Sequence, residues 1–351
     1  MVRLVLLLAL GGCRSLLGFD EVQLADGAPA NDTPENDPPD ADCFGSNLVV
    51  VCASSIDEVV LGELIDTDVD DRCVDVAGSC VIVGGRITLQ QGSTVRVTGT
   101  RPFVLFADNL DIRGTLDLSS NAQQTGANSN AVGCGLGTPP ADGGSGGGHG
   151  GTFGDVGGRG GSSDGSSGGA SPDPKQFTTL RGGCDGGAGA SVGNGLGAGG
   201  ASGGAVYLLA RESITMSGSI NASGAGALGA TGNAGGGGGG SGGMIGLESP
   251  TILLFDDARI WANGGGGREG SPGIASGSDG GVSGDPTASA PGGAGTAGGD
   301  GGSGGHGTTA AGQGADSLDR GGGGGGGSVG IVLLRGTVEG SGTISPPPSN
   351  R

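Results

Sequence analysis

The sequence predicts an all-β body, a right-handed parallel β-helix-like solenoid with long glycine-rich excursions. Three observations carry that expectation. A short sentence of residues recurs, in which an apolar strand and a polar turn lead to a glycine and a brief Leu/Ile strand. Leu110, Gly114 and Leu116 are spaced as Ile214, Gly218 and Ile220 are, and as Val338, Gly342 and Ile344 are. A fourth copy, Gly243–Gly264, fits with two extra residues between Ile252 and Ile260. Each copy also follows its own apolar strand, at Phe103–Ala107, Ala205–Ala210, Met244–Leu247 and Gly330–Leu334. Finally, the anchors Leu110, Ile214, Ile252 and Val338 lie 104, 38 and 86 residues apart while the turn itself hardly changes. Inserted chain is therefore confined to one corner of a repeated unit, as stacked architectures allow.

Composition narrows the class further. Of 351 residues, 90 are glycine and 16 proline, together close to a third of the chain. Without a strict Gly-X-Y period such content usually means low complexity, which the recurrent apolar strands argue against. Aromatic residues are 3% of the chain, so a thin aliphatic core is expected rather than a wide globular one. The net charge of −19 with a single lysine, Lys175, repels phosphate-rich partners and excludes nucleic acid as an expected ligand.

Residues 1–13 have one positive residue, the apolar run Leu4–Leu10 and small residues before Cys13. The run is too short to span a bilayer and is expected to be a secretory signal. Leu10-Gly11-Gly12-Cys13 resembles a bacterial lipobox, which implies diacylation of Cys13 and anchoring by two or three acyl chains. The alternative is a conventional signal peptide with an incidental cysteine. Arg14 follows in place of the aspartate associated with inner-membrane retention, so the resemblance implies the outer membrane. Residues 14–42 are acidic and hold Pro29, Pro34, Pro38 and Pro39; they are expected to form an extended tether.

Residues 43–100 form the stretch of most ordinary composition, expected as a β cap. Leu48–Val51, Val59–Leu64, Cys80–Val83, Arg86–Gln90 and Thr94–Thr98 are its expected strands, with a hairpin or bend at Gly84-Gly85. Apart from Cys13, six cysteines remain: Cys43, Cys52, Cys73, Cys80, Cys134 and Cys184. An even number in an exported chain favours disulfides. Proximity suggests the pairs 43–52, 73–80 and 134–184, although the six allow fifteen connectivities.

Residues 101–345 carry the repeats, and 346–351 a short tail. Three excursions leave them, Asn121–Gly203, Ser223–Gly243 and Asn263–Gly327. Either they are flexible linkers, or they form polyproline-II-like glycine helices packed side by side, since glycine permits close backbone approach. Gly235–Gly240 and Gly321–Gly327 resemble the polyglycine-II bundles of some antifreeze proteins and phage adhesins, and partial packing against one face of the body is the favoured expectation.

Chemistry-bearing patterns are sparse. With this glycine content GxGxxG arises about six times by chance, and none opens a helix. Gly143-Gly144-Ser145-Gly146-Gly147 satisfies GxSxG without the preceding strand of a nucleophile elbow. His149 and His306 have no ligand at metal-site spacing. Asp66, Asp68 and Asp70 resemble the start of a calcium loop, but Asp71 and Ala77 stand where glycine and glutamate are needed. A carbohydrate-active β-helix enzyme, lyase or hydrolase, is the alternative function. Its candidate charges are Asp111, Arg113, Asp117, Arg211, Glu212, Asp256, Asp257 and Arg259, of which Asp256, Asp257 and Arg259 come closest to a cluster. No cofactor is expected. Ice binding would need ladders of threonine, and the threonines here are scattered.

The lipobox, IDTDVDDRC…CVIVGGRITL, RPFVLFADNLDIRGTLDLSS and the GG-strand-INASGAG units together resemble a group of uncharacterised glycine-rich exported lipoproteins of the myxobacterial type. A looser similarity to glycine-rich mycobacterial surface proteins rests on composition alone. The resemblance implies an outer-membrane lipoprotein, periplasmic or surface-exposed, and brings no catalytic residues. The expected role is structural or adhesive. The expected partners are the membrane, through the lipid anchor, and polysaccharide or surface proteins.

Overall fold

A computed structural model describes residues 43–349 apart from positions 54, 164, 177, 193, 194, 196, 229–231, 274 and 319. The signal, Cys13 and the tether thus lie outside the described residues. Every regular element among the described residues is a strand. A hairpin of β1 (Cys43–Ser46) and β2 (Val49–Cys52) comes first. Then follow β3 (Glu58–Val60), β4 (Leu64–Asp66), β5 (Val74–Val76), β6 (Ser79–Leu89), β7 (Thr94–Thr98), β8 (Phe103–Ile112) and β9 (Thr115–Asp117). The repeats continue with β10 (Ala205–Met216), β11 (Ser219–Asn221), β12 (Gly232–Ala234), β13 (Met244–Leu254) and β14 (Arg259–Trp261). The last are β15 (Ser271–Gly273), β16 (Ile331–Gly340) and β17 (Thr343–Ser345).

Apart from the β1–β2 hairpin and the β12–β15 pair, the strands fall into two large sheets. The first runs β16-β13-β10-β8-β6-β3, all parallel, with β5 antiparallel to β6; the second runs β17-β14-β11-β9-β7-β4, also parallel. The repeated anchors meet across the ladders. Leu110, Ile214, Ile252 and Val338 form one row, and Leu116, Ile220, Ile260 and Ile344 another. Alternation puts these residues between the sheets, where Ile87, Leu89, Val95, Val97, Met216 and Leu254 fill a continuous aliphatic core. The two additional residues of the fourth copy are absorbed in the corner, where Ala258 N–H donates to Phe255 C=O at 2.9 Å.

Gly84 and Gly85 do not turn the chain, contrary to the expected hairpin or bend; β6 passes straight through them. Gly85 is needed because residues 55–57 cross it closely: its amide donates to Asp57 C=O at 2.8 Å, and a Cβ would sit 2.9 Å from the Ser55 carbonyl oxygen. The expected single strand at Val59–Leu64 is likewise two, β3 and β4, one in each sheet.

The excursions are packed. Amides of Gly322, Gly325 and Ser328 donate to carbonyls of Ser145, Gly148 and Gly151. Gly324, Gly327 and Gly330 donate to Arg268, Gly265 and Ala262, and Gly323 and Gly326 to Ala315 and Gly312. Every third residue faces the same neighbour, the repeat of a polyproline II helix. Carbonyls of the same segment accept from Gly236, Gly239 and Gly242, from Gly158 and Gly161, and from Gly302 and Gly305. A glycine helix at 321–330 is therefore enclosed by neighbours from all three excursions. These helices continue the strands directly, 197–204 entering β10, 235–243 entering β13 and 321–330 entering β16. A buried serine, Ser202, Ser241 or Ser328, marks each approach three residues before a strand begins.

This arrangement corrects the expected right-handed parallel β-helix-like solenoid. In a solenoid each repeat contacts only its neighbours. Here the parallel strands stand as two stacked sheets, and the first excursion bonds directly to the last, as Gly161 N–H does to Gly323 C=O at 2.8 Å. The physical reason lies in the glycines. A helix without side chains offers its amides and carbonyls in all directions and pairs with any similar helix, however distant in sequence.

Three disulfides clip the body: Cys43–Cys52 across the hairpin, Cys73–Cys80 beside β5, and Cys134–Cys184 across the first excursion. Such bonds indicate an oxidising, extracytoplasmic environment. No helix among the described residues is long and apolar enough to cross a membrane.

Candidate functional site

The outer face of the first sheet carries a second apolar cluster, built from Val81, Val104, Phe106, Tyr207 and Leu209 of the strands. Val49 and Val51 of the hairpin and Phe153, Leu180 and Cys184 of the first excursion cover it. Alternation along β8 and β10 dictates this, since residues between the inward-facing ones are apolar as well. Both faces of the sheet must then be buried.

A polar focus sits at one end of the cluster. Glu248, on β13, accepts hydrogen bonds from the Tyr207 hydroxyl at 2.6 Å and the Ser46 hydroxyl at 2.8 Å. Arg335 of β16 lies 3.7 Å from the same carboxylate oxygen. One carboxylate thus joins the hairpin, the sheet centre and the edge strand β16. Burial, reinforced by the hydrogen bond to Glu248, pushes the Tyr207 phenol far above its ordinary range. The phenol stays protonated and works as a fixed donor, unsuited to general acid–base exchange near neutrality. Beside it a cavity of about 190 Å³ is lined by Leu48, Met244, Ile331, Leu333 and Arg335. A second cavity of about 300 Å³ lies between Phe153, Lys175, Ile331 and the tail prolines Pro346 and Pro347. This second cavity carries the chain's sole lysine.

A buried arginine stands at the other end of the cluster. Arg181 donates to carbonyls of Ala131, Val132 and Gly182 and lies 3.0 Å from Cys134 Sγ, with its guanidinium 5.5 Å from the Phe153 ring. Burial lowers its pKa. It gathers the ends of the excursion that the Cys134–Cys184 bond closes.

The side chains singled out in the sequence are dispersed over the body. Asp70 pairs with Arg72 at 2.6 Å, which holds its carboxyl below the usual range. Asp68 accepts from the Thr100 amide and hydroxyl, and Asp66 accepts from the Asp68 amide. The three carboxylates staple a turn; they do not converge. Asp111 pairs with Arg113, Asp117 with Arg96, Arg211 with Asp108, and Glu212 accepts from Asn109. Asp256 accepts from Ser341, whereas Arg259 pairs with Asp285 at 3.0 Å, so the closest approach to a catalytic cluster is drawn apart. The His149 ring packs against Gly137 and Gly187, and His306 sits in a turn closed with Thr309. Among the described residues no three His, Cys, Asp or Glu side chains are grouped to hold a metal.

Sequence reasoning missed Tyr207, Glu248, Ser46, Arg335 and Arg181. One signal was available: Tyr207 is the chain's single tyrosine and sits inside a repeated apolar strand. Nothing in the sequence linked it to Ser46 or Arg335. Comparison of the chain with protein-family models, curated proteins and solved structures finds no match.

Proposed function

We propose that the protein is an exported lipoprotein of the bacterial outer membrane, acylated at Cys13, with a structural or adhesive role. The observation that supports this reading best is the glycine layer. Its helices are hydrogen-bonded on several sides by excursions drawn from the whole chain. A layer of that kind holds the body in one conformation, which lowers the ordering cost of binding an extended partner such as polysaccharide. Disulfides suit the same body to an oxidising surface environment. The acidic tether would hold it clear of the membrane.

The carbohydrate-active alternative draws no support from Asp256 and Arg259, whose partners are Ser341 and Asp285. The test has two parts. A Cys13→Ser chain, expressed in its own cell, is expected to lose incorporation of a palmitate analogue and to leave the membrane fraction. The purified protein is expected to bind surface polysaccharide in a pull-down without releasing reducing ends or unsaturated sugars. Retention of Cys13→Ser in the membrane fraction would refute the anchor, and sugar release would refute the non-enzymatic role.

A further inference from the structure

The first sheet ends on β16, and the two halves of that strand are treated differently. Along the first half the tail folds back, and the Ser349 amide donates to Val332 C=O at 2.9 Å. The second half, Gly336–Gly340, is exposed throughout. Val338 shows how open this end is: it occupies the row of Leu110, Ile214 and Ile252, which are buried, yet is 43% exposed. Uncovered strand edges are ordinarily blunted by charge or proline, because their free amides and carbonyls recruit another strand.

The charges here have a particular order. Arg335 contacts Glu248 on the outer face of the sheet. Gly336, with φ at +130°, lies opposite the extra residue that β13 carries between Glu248 and Thr251, and plain alternation along β16 puts Arg335 and Thr337 on that one face. Val338 turns inward and Glu339 outward again. Arg335 and Glu339 thus lie on one face, equally spaced about Thr337, with opposite signs. A guard against all pairing would not need opposite signs. An antiparallel strand of the same sequence, centred on Thr337, would set each Arg335 opposite a Glu339 twice over. A parallel copy would oppose like charges.

We propose that residues Arg335–Glu339 pair antiparallel with the same segment of a second copy, about a two-fold axis through Thr337, extending the first sheet across a dimer. Isologous contacts of this kind close on themselves and stop at two. Arg335 keeps its contact with Glu248 and adds Glu339 of the second copy. The paired segment is short and the chain carries a net charge of −19, so the dimer is weak and grows weaker at low ionic strength, where the overall repulsion is least screened. This inference is independent of the adhesive role, since a soluble enzyme would dimerise equally.

The experiment is sedimentation velocity on the full exported chain carrying Cys13→Ser, so that no acyl group drives association. A concentration-dependent dimer is expected. Glu339→Arg is expected to weaken it roughly tenfold, because two pairs turn from attractive to repulsive. Arg335→Glu combined with Glu339→Arg is expected to restore it. Thr337→Cys is expected to give a covalent dimer on mild oxidation, since residues facing each other on antiparallel strands come within disulfide reach. A chain that stays monomeric at every concentration overturns the proposal, as does a dimer indifferent to Glu339→Arg. If the double variant fails to fold, the Thr337→Cys cross-link decides alone, and its absence is a refutation.

Discussion

Replacing one glycine inside the layer by alanine separates a packed excursion from a flexible one. At Gly324 an added Cβ would be driven into the Gly237 carbonyl oxygen, with the Gly236 carbonyl oxygen 2.9 Å away. Both obstacles are backbone, so no rotamer change relieves them and the helices must move apart. Forced overpacking costs about 1–3 kcal/mol. Separation would also strain two hydrogen bonds between these helices, Gly236 N–H to Gly322 C=O at 2.8 Å and Gly239 N–H to Gly325 C=O at 2.9 Å. At about 1 kcal/mol each, their loss brings the total to roughly 3–5 kcal/mol. Gly284 lies in the same excursion, but an added Cβ there meets nothing within 4 Å. Gly284→Ala is expected to be neutral, or stabilising by about 0.4–1 kcal/mol through reduced entropy of the unfolded chain. The assay is urea denaturation of both variants with disulfides intact, compared by midpoint at unchanged slope. Equal midpoints, within about 0.5 kcal/mol, would mean that the 321–330 helix is not packed as described.

Other expectations concern the clips and the buried charges. Removing Cys134–Cys184, whose separation is 50 residues, should cost about 4 kcal/mol on loop entropy, against about 2.4 for Cys73–Cys80, whose separation is 7; paired Cys→Ser variants in thermal melts check the order, which a larger loss for the short loop would contradict. Burial alone would raise the Glu269 carboxyl, but amide donation from Ser278, Gly298 and Ala297 holds it below the ordinary glutamate value. Its contribution is present above the unfolded pKa and is lost as pH falls through the lower folded one, so Glu269→Gln should flatten acid destabilisation below about pH 4. An unchanged acid limb would remove Glu269 from that role. Tyr207, as the only tyrosine, gives a clean ultraviolet titration. No phenolate should appear below about pH 11 in the folded protein, and a midpoint near the ordinary value of about 10 would place the hydroxyl in water.

Much of the strand framework was written in local pattern. The spacing of Leu110, Gly114 and Leu116 and its echoes reports which residues face the inter-sheet core, because alternation along a strand is a property of neighbouring residues. The registers Leu110↔Ile214 and Ile252↔Val338 follow from matching equal units. The polar focus was not legible. Ser46 and Glu248 are 202 residues apart, and their meeting depends on where the hairpin lies over the sheet. The candidate cluster at Asp256, Asp257 and Arg259 misled because adjacency in sequence says nothing of orientation at a corner. Asp256 turned to Ser341 and Arg259 to Asp285.

What the sequence determined by itself was a β body with inward rows of Leu, Ile and Val, an even supply of six cysteines beyond Cys13, and excursions whose length varies where the strands do not. Tertiary structure alone decided that the strands stand as two stacked sheets and that the excursions form one layer. The reason is that a strand carries its instructions on side chains, whereas a glycine helix carries none. Gly323 and Gly237 are chemically alike, and only the packed whole selects Ala315 as the acceptor for the amide of Gly323 and Gly161 as the donor to its carbonyl.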